Sequence, residues 1–464
     1  MGRRVHAAVR PRPRGPGDLG AHAEGLLCLV SRPHRASPRR RTDQDRRAAV
    51  STTATRRVGA GWLSLFTLAW LAIWTVQLTP LQLLLPDQLD ASNAEGHWVV
   101  GVVWSGIVLS VGGLAGVIAA PVAGRLSDRT RSRWGRRRPW AVGGSLLAAL
   151  GLIVTGLADG PWLIGGAWVI VSIGLAAASA AFTAMIADQL TEQRGSASAA
   201  ASSAQAAGIV VGVGAVVLLG LGITASYLML AGIIAVIGVG TAVLLPDPGP
   251  AHVLPVRTQA RPSSLRDPDF LWLLISRLVV NVGNALGTSL LLFFLLYGIG
   301  FSKTEAEDNL LVLIVIYTVF VVIASIIAGM ISDRTGNRRT LSVVAAVVQA
   351  VSGLVILFSP TFVMTAVAAA IMGAGYGAYM AVSLAFSTDL LRDPEDHARD
   401  LGIVNVSANL GQLLGPLIGA GLVALVGGFW LLFAAAAVLS LAGAVMTLMV
   451  RRGRSSPAPL PVRR

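Results

Sequence analysis

Lysine and cysteine are almost missing from this chain of 464 residues: Lys303 and Cys28 are the sole examples. A single cysteine excludes an internal disulfide and leaves the redox compartment undetermined. Six scattered histidines and one cysteine offer no metal-ligand spacing, so no metal or other cofactor is expected. The one lysine lies in "FSKTEAED", outside any G-x-x-x-x-G-K-[ST] phosphate loop, so ATP could drive the protein only through a separate partner. Charge of either sign is scarce, at 13% of residues against 54% hydrophobic, with a mean hydropathy of +0.70. So few charges cannot cover a water-facing surface. Acidic residues are missing from the middle of every long apolar run; all 23 fall in the tails, in loops or at predicted helix ends.

What remains is a succession of apolar runs of about 20 residues, each long enough to cross the ~30 Å hydrocarbon layer as a helix. Twelve are predicted: 61–85, 97–123, 141–157, 162–187, 198–219, 224–245, 270–298, 310–331, 341–359, 362–386, 401–426 and 429–450. The fold class is an all-α polytopic membrane protein. Residues 1–59 read as a basic disordered tail, with twelve arginines against four acidic residues in the first 49. Synthesis from Val50 is an alternative that N-terminal sequencing settles. Residues 60–245 and 270–450 form two six-helix bundles, joined by a polar linker at 246–269 and followed by a tail at 451–464.

Seven arginines crowd into "GRLSDRTRSRWGRRRPW", Gly124 to Trp140. In a soluble protein of net charge +14 such a patch would suggest nucleic acid. Here 35 of the 37 basic residues fall on one side of the predicted spans; Lys303 lies on the other and Arg277 inside a span. The opposite loops collect Asp87, Asp90, Glu95, Asp159, Glu305, Glu307 and Asp308. Basic residues concentrate on the cytoplasmic side of helical membrane proteins, so both termini are expected in the cytoplasm and nucleic acid is not an expected partner. Membrane lipids are, since Arg131, Arg133, Arg136, Arg137 and Arg138 suit orientation and anionic headgroups.

The chain repeats itself. "GRLSDRT" at Gly124 returns as "GMISDRT" at Gly329, and "ADQLTEQRG" after the fourth span corresponds to "STDLLRDPEDHARDLG" after the tenth. Duplicated halves of this kind mark a transporter architecture. At these residues the chain resembles the major facilitator superfamily of secondary transporters. Gly124, Asp128, Arg129, Gly135, Arg136 and Arg137 match its G-x-x-x-D-R-x-G-R-R pattern, with extra residues between Arg129 and Gly135. The longer run "SDRTRSRWGRRRPW" is similar to the loop of the glycoside–pentoside–hexuronide and sucrose transporters. The resemblance implies twelve helices in two pseudo-symmetric bundles, alternating access, and a charge network of Asp128 and Arg129 with Asp188 and Arg194. Asp333, Arg334 and Asp389 would repeat it in the second half. A simpler reading gives all these charges to topology alone.

In this superfamily the first, fourth, seventh and tenth helices line the path, with the fifth and eleventh beside them. The polar residues there are Gln77 and Gln82 around Pro80, Gln205, Arg277 with Asn281 and Asn284 on one helical face, Tyr376, Tyr379, Asn405, Asn409 and Gln412. Arg277 lies roughly 10 Å inside its helix. It either snorkels to the interface, contacts solute, or braces the halves. The stripe Trp62, Phe66, Trp70 and Trp74 reads as lipid-facing or interfacial ahead of a sugar-stacking surface. Amides and aromatics suit a polyhydroxylated neutral solute, while Arg277 leaves room for an anion. Melibiose-type relatives carry acidic residues for cation coupling in first-half helices, and these are missing here. Asp188, Asp389 and, on the outer side, Asp87 are the nearest substitutes for coupling a proton or sodium ion. A monomer moving a sugar or glycoside is the expectation; a drug or organic-anion exporter, or a non-transporting sensor, are the alternatives.

Overall fold

A computed structural model describes residues 58–92, 97–190, 193–247, 267–390 and 397–451. The predicted tails, most of the linker and Glu95 lie outside the described residues, as do the side chains of Arg194 and Asn405. Among the described residues, twelve helices are long and apolar enough to cross a membrane. They are α1 (Ala60–Ala91), α2 (Trp98–Arg129), α3 (Arg138–Leu157), α4 (Pro161–Gln189), α5 (Arg194–Leu218), α6 (Ile223–Leu244), α7 (Pro268–Ser289), α8 (Lys303–Thr335), α9 (Arg338–Phe358), α10 (Phe362–Leu390), α11 (His397–Val426) and α12 (Trp430–Met449). No strand occurs among the described residues.

Several helices outrun their apolar stretches. α2 continues to Arg129 and α4 to Gln189, so Asp128 and Asp188 ride on helix rather than loop. α8 begins at Lys303, seven residues before the predicted Leu310. A reciprocal capping box between Ser302 and Glu305 starts it there, satisfying amide donors that apolar periodicity does not register. Glu305, Glu307 and Asp308 therefore belong to the first turns of α8, and Asp87 and Asp90 to the last turns of α1. Pro80 cannot donate to the helical ladder, and α1 widens into a π turn at Pro80–Leu84. α6 holds a further π turn at Ile234–Gly238, and α7 breaks at Leu290 and resumes through Leu291–Phe293 into another, Phe294–Ile299.

The two halves repeat their packing: α1 on α5 and α7 on α11, α2 on α4 and α8 on α10, α3 on α4 and α9 on α10. Glycine sets the closest approach. A Cβ at Gly174 of α4 would meet the α3 backbone at Ala148 at 2.5 Å, and one at Gly375 of α10 would meet the α9 backbone at Gln349 at the same distance. These two positions are 201 residues apart in the chain. The aromatic stripe of α1 is buried at Trp62 and Phe66 and half-buried at Trp70 and Trp74, contrary to the lipid-facing expectation: Phe66 is 0% exposed and Trp62 donates its Nε1–H to Gln189 Oε1 at 2.9 Å. Its four-residue spacing places it against α4 and α5 in the core of the first half.

The halves meet through α2 against α11 and α5 against α8. Ser110 of α2 donates to the Leu413 carbonyl of α11 at 2.7 Å. Gly106 lies against Pro416 and Ala420, where a Cβ would be 2.4 Å from the Ala420 methyl. Beyond this waist, towards the end bearing Asp87, Leu292, Leu295, Leu310 and Leu313 of the second half join the core of the first. Trp98 stacks on both Tyr297 and Phe429 at ring distances of 5.2 and 5.3 Å. The opposite end, carrying the α2–α3 and α8–α9 turns, is called the arginine end below.

Candidate functional site

At the arginine end of the first half, one guanidinium gathers the charges. Arg137 stands just before α3 and is 4% exposed. Its Nη2 lies 2.6 Å from Asp128 at the end of α2, and its Nε donates to Asp188 at the end of α4 at 2.9 Å. Its Nη1 donates to Ser127 Oγ at 2.6 Å. Burial by itself would disfavour the charged guanidinium. The hydrogen bonds and charges of Asp188, then Asp128, outweigh it and hold Arg137 above its ordinary range. Arg136 adds a second contact to Asp128 at 2.9 Å. Three helix ends are thus tied to a single cation.

The first residues after α6 are drawn into the same knot. Asp247 Oδ2 accepts the backbone N–H groups of Arg137 at 2.7 Å and Arg138 at 2.8 Å, capping the amino end of α3. Arg138 donates to the Leu245 carbonyl at 2.9 Å, and Gln189 donates to the Pro246 carbonyl at 2.7 Å. Gly135 has φ +106°, and a Cβ there would lie 2.2 Å from the Asp247 carboxylate. Both conditions require glycine.

The second half carries a simpler copy. Arg338 Nη1 pairs with Asp389 at 2.5 Å, its Nη2 lies 3.9 Å from Asp333, and it donates to the Ala385 carbonyl. Arg137 and Arg338, like Asp188 and Asp389, are 201 residues apart, whereas the two "SDRT" runs are 205 apart. Four extra residues between Arg129 and Gly135 account for the difference. Arg338 therefore corresponds to Arg137, and the shared signal is the second residue after a left-handed glycine, Gly135 or Gly336.

The expected site residues separate accordingly. Asp128, Asp188, Arg136 and Arg137 meet in one network, and Asp333 and Asp389 in the other. Arg129 and Arg334, which the motif singles out, point to solvent with no ion-pair partner among the described residues. Arg136 and Arg137, matching the loop pattern and expected in the charge network as well as at the lipid surface, bind here, and so does Arg138, expected to serve orientation and lipid. Gly124 has open space where a side chain would go. Ser127 belongs to the repeated SDR run, whereas Asp247 and Arg338 carry no motif that marks them as network members.

Within the bundle, α7 presents its polar face to α8 and α10. Arg277 is 1% exposed and donates to Ser383 Oγ of α10, so it does not snorkel to the surface. The brace it makes lies inside the second half rather than between halves. Asn281 donates to the Arg277 carbonyl at 2.7 Å and accepts from Tyr376 at 2.9 Å, and Asn284 accepts from Tyr317 at 3.0 Å. Tyr379 is enclosed, sharing hydrogen bonds with Ser276, which also reaches Thr447 of α12. Gln205, Asn409 and Gln412 are exposed, and Gln77 and Gln82 are half-buried beside the π turn of α1. An enclosed cavity among Gly283, Gly287, Gln349, Met372, Phe433 and Ser440 holds about 10 Å³, too little for a solute.

The Major Facilitator Superfamily model matches residues 68–311 and 278–464. Short stretches resemble curated proteins: 46 residues at 54% identity to an uncharacterised symporter of Synechocystis, 55 at 46% to the general alpha-glucoside permease of Schizosaccharomyces pombe, and 63 at 36% to the sucrose transport protein SUC4 of Arabidopsis thaliana. These cover 10%, 12% and 13% of this chain and only 8%, 10% and 12% of those proteins. Among solved structures, a bacterial homologue of the human lysosomal transporter Spinster, in an inward-facing and occupied conformation, aligns with TM-score 0.69 and 15% identity over 85% of this chain and 98% of that one. The nucleoside transporter NupG aligns with TM-score 0.65 and 14% identity over 84% and 99%. Those two likenesses are likenesses of fold. With the family model spanning both halves and the charge network duplicated at both helix-end clusters, the chain belongs to the Major Facilitator Superfamily of multi-pass membrane transporters.

Proposed function

We propose that the protein carries a sugar or glycoside across the cytoplasmic membrane by alternating access, with its arginine end and both termini in the cytoplasm. The observation that carries the transport cycle is the asymmetry of the contact between halves. One ion pair, aromatic stacks and apolar packing join them at the Asp87 end, while the duplicated arginine networks each close within their own half. Such an arrangement is an inward-facing state, sealed outside and open towards the cytoplasm. In the opposite state the networks hold helix ends in register so that the halves can close over them. Ion pairs suit this work, because exposure to water lets them rearrange at small cost.

The sugar reading rests on amide and tyrosine groups along α7 and α10, with exposed amides on α5 and α11. The names of the permease and sucrose relatives agree with it. Arg277 has no carboxylate partner among the described residues, which favours an organic anion as the second reading. Uptake of labelled neutral sugars and of organic anions into proteoliposomes separates the two. Saturable uptake of a sugar supports the first. Uptake of anions alone, abolished by Arg277→Gln, replaces it with the second, and no movement of any solute across a broad panel points to a sensor.

A further inference from the structure

Of the arginines expected to meet anionic headgroups, Arg136, Arg137 and Arg138 turn to partners at the helix ends. Two others stand on the outside of α2. Arg125 and Arg129 are one turn apart and both exposed, and neither has an ion-pair or hydrogen-bond partner among the described residues. At this spacing their side chains start about 5–6 Å apart, so they repel each other unless an anion is shared between them.

The packing of α2 shows which way they face. Gly112 and Gly116 turn towards α4, at Trp168 and Ser172, while Gly106, Ser110 and Gly113 turn towards α11. On the side away from both neighbours runs an exposed apolar stripe of Val111, Leu114, Ile118, Val122 and Leu126, and Arg125 and Arg129 end it. In a chain that spans a membrane, such a face meets lipid. From Val111 to Arg125 it extends about 21 Å, more than half of the ~30 Å hydrocarbon layer. At its charged end lies a hollow of about 190 Å³, bounded by Val122, Arg125, Leu126 and Arg129. Exposed Trp134, in the α2–α3 turn, marks the level of the membrane–water boundary beside it.

The second half lacks the pair. The repeat that carries "SDRT" from α2 to α8 places Met330 at the position of Arg125 and Arg334 at that of Arg129, and Met330 is also exposed. Topology needs basic residues near a span in any arrangement, whereas here two guanidinia border an apolar hollow and continue an apolar stripe. A phosphodiester with an acyl chain matches each part. Its oxygens accept from both guanidinia, its chain lies along Val122 and Ile118, and the arginine stems cover the apolar surface between. A headgroup with a cation of its own would leave the repulsion between the arginines in place. We propose that Arg125 and Arg129 form a headgroup site for one anionic phospholipid of the leaflet at the arginine end, with an acyl chain seated along the outer face of α2. The site is separate from the charge network and independent of which solute is carried.

Native mass spectrometry of the full chain released from detergent tests the site, with phosphatidylglycerol and phosphatidylcholine of identical acyl chains as probes. Wild type is expected to retain phosphatidylglycerol in preference. Arg125→Met, which gives α2 the residue found in α8, should lower the retained phosphatidylglycerol about fivefold, the factor that one guanidinium near an anionic surface is worth. Met330→Arg, the reciprocal change, should add a second retained lipid, and it can be read even if Arg125→Met inserts poorly. Arg131→Gln removes the same charge from an exposed position in the neighbouring turn and should leave retention at the wild-type level. Equal retention of the two lipids, equal losses in Arg125→Met and Arg131→Gln, or no second lipid in Met330→Arg overturns the proposal. Displacement of the lipid by inorganic phosphate would mark a free-anion site and overturns it as well. Retention is read without any solute, so its failure while uptake persists sinks the lipid site alone, and lipid retention without any transport sinks the transport reading instead.

Discussion

At the scale of single residues, Arg137 and Arg129 are neighbours in one loop with opposite fates. Arg137 pairs with two carboxylates that α2 and α4 bring together, and removing it leaves Asp128 and Asp188 to the single guanidinium of Arg136, 2.9 and 3.9 Å away. Arg137→Ala is expected to lower stability by about 1–3 kcal/mol, less than a fully buried pair because Asp128 keeps much of its water. Uptake should fall more than about tenfold, through loss of the register of three helix ends. Arg129→Ala should stay within about twofold of wild type, as changes at unpartnered surface positions do. Thermal unfolding and uptake at matched insertion check both, and equal losses in the two variants would give the charges back to topology. Asp247 acts on the same loop from the linker side. Asp247→Ala should cost about 1 kcal/mol, the worth of a helix cap, and should speed hydrogen exchange at the Arg137 and Arg138 amides; Asp247→Asn, which retains an acceptor oxygen, should cost less.

At the scale of elements, the close approach of α3 to α4 and of α9 to α10 fixes the frame on which the two networks sit. Gly174→Leu or Gly375→Leu drives a side chain into the facing backbone, and neither helix can yield without moving its charged end. Both are expected to reduce the folded yield severely in size-exclusion profiles of the detergent-solubilised protein. Gly166→Ala in α4 has open space around its added methyl and should leave the profile unchanged. The π turns in α1 and after α7 belong to the same scale. They release backbone groups near the seam between halves, where α1 and α7 must change their mutual angle.

At the scale of the whole molecule, the state closed at the Asp87 end predicts which surfaces water reaches. Single cysteines at Gln205 or Gln412, on a Cys28→Ser background, should react with a membrane-impermeant thiol reagent applied from the arginine side. One at Leu295, which is 0% exposed in the seam, should be protected. Reaction of Leu295→Cys alone, from the opposite side, would mean that the protein rests in the other state. The Asp87–Lys303 pair joins the halves at one end, while the arginine networks at the other end each close within their own half.

The sequence by itself determined the membrane environment, the twelve helices and the twofold repeat, because hydropathy, basic-residue asymmetry and recurring loops are properties of linear order. It drew attention to Asp128, Asp188, Asp333 and Asp389, which sit at helix ends in matching places. It could not choose among seven crowded arginines. Which guanidinium turns inward depends on a left-handed glycine, an aspartate 110 residues away and the meeting of three helix ends. The aromatic stripe of α1 carried the same ambiguity, for a periodic apolar face packs against lipid or protein equally well until neighbours are known. Asp87 stands out in the sequence as an outer-side carboxylate, but its pairing belongs to tertiary structure. Its partner Lys303 is 216 positions away, and only the packing of one half against the other brings that carboxylate to the chain's single ammonium.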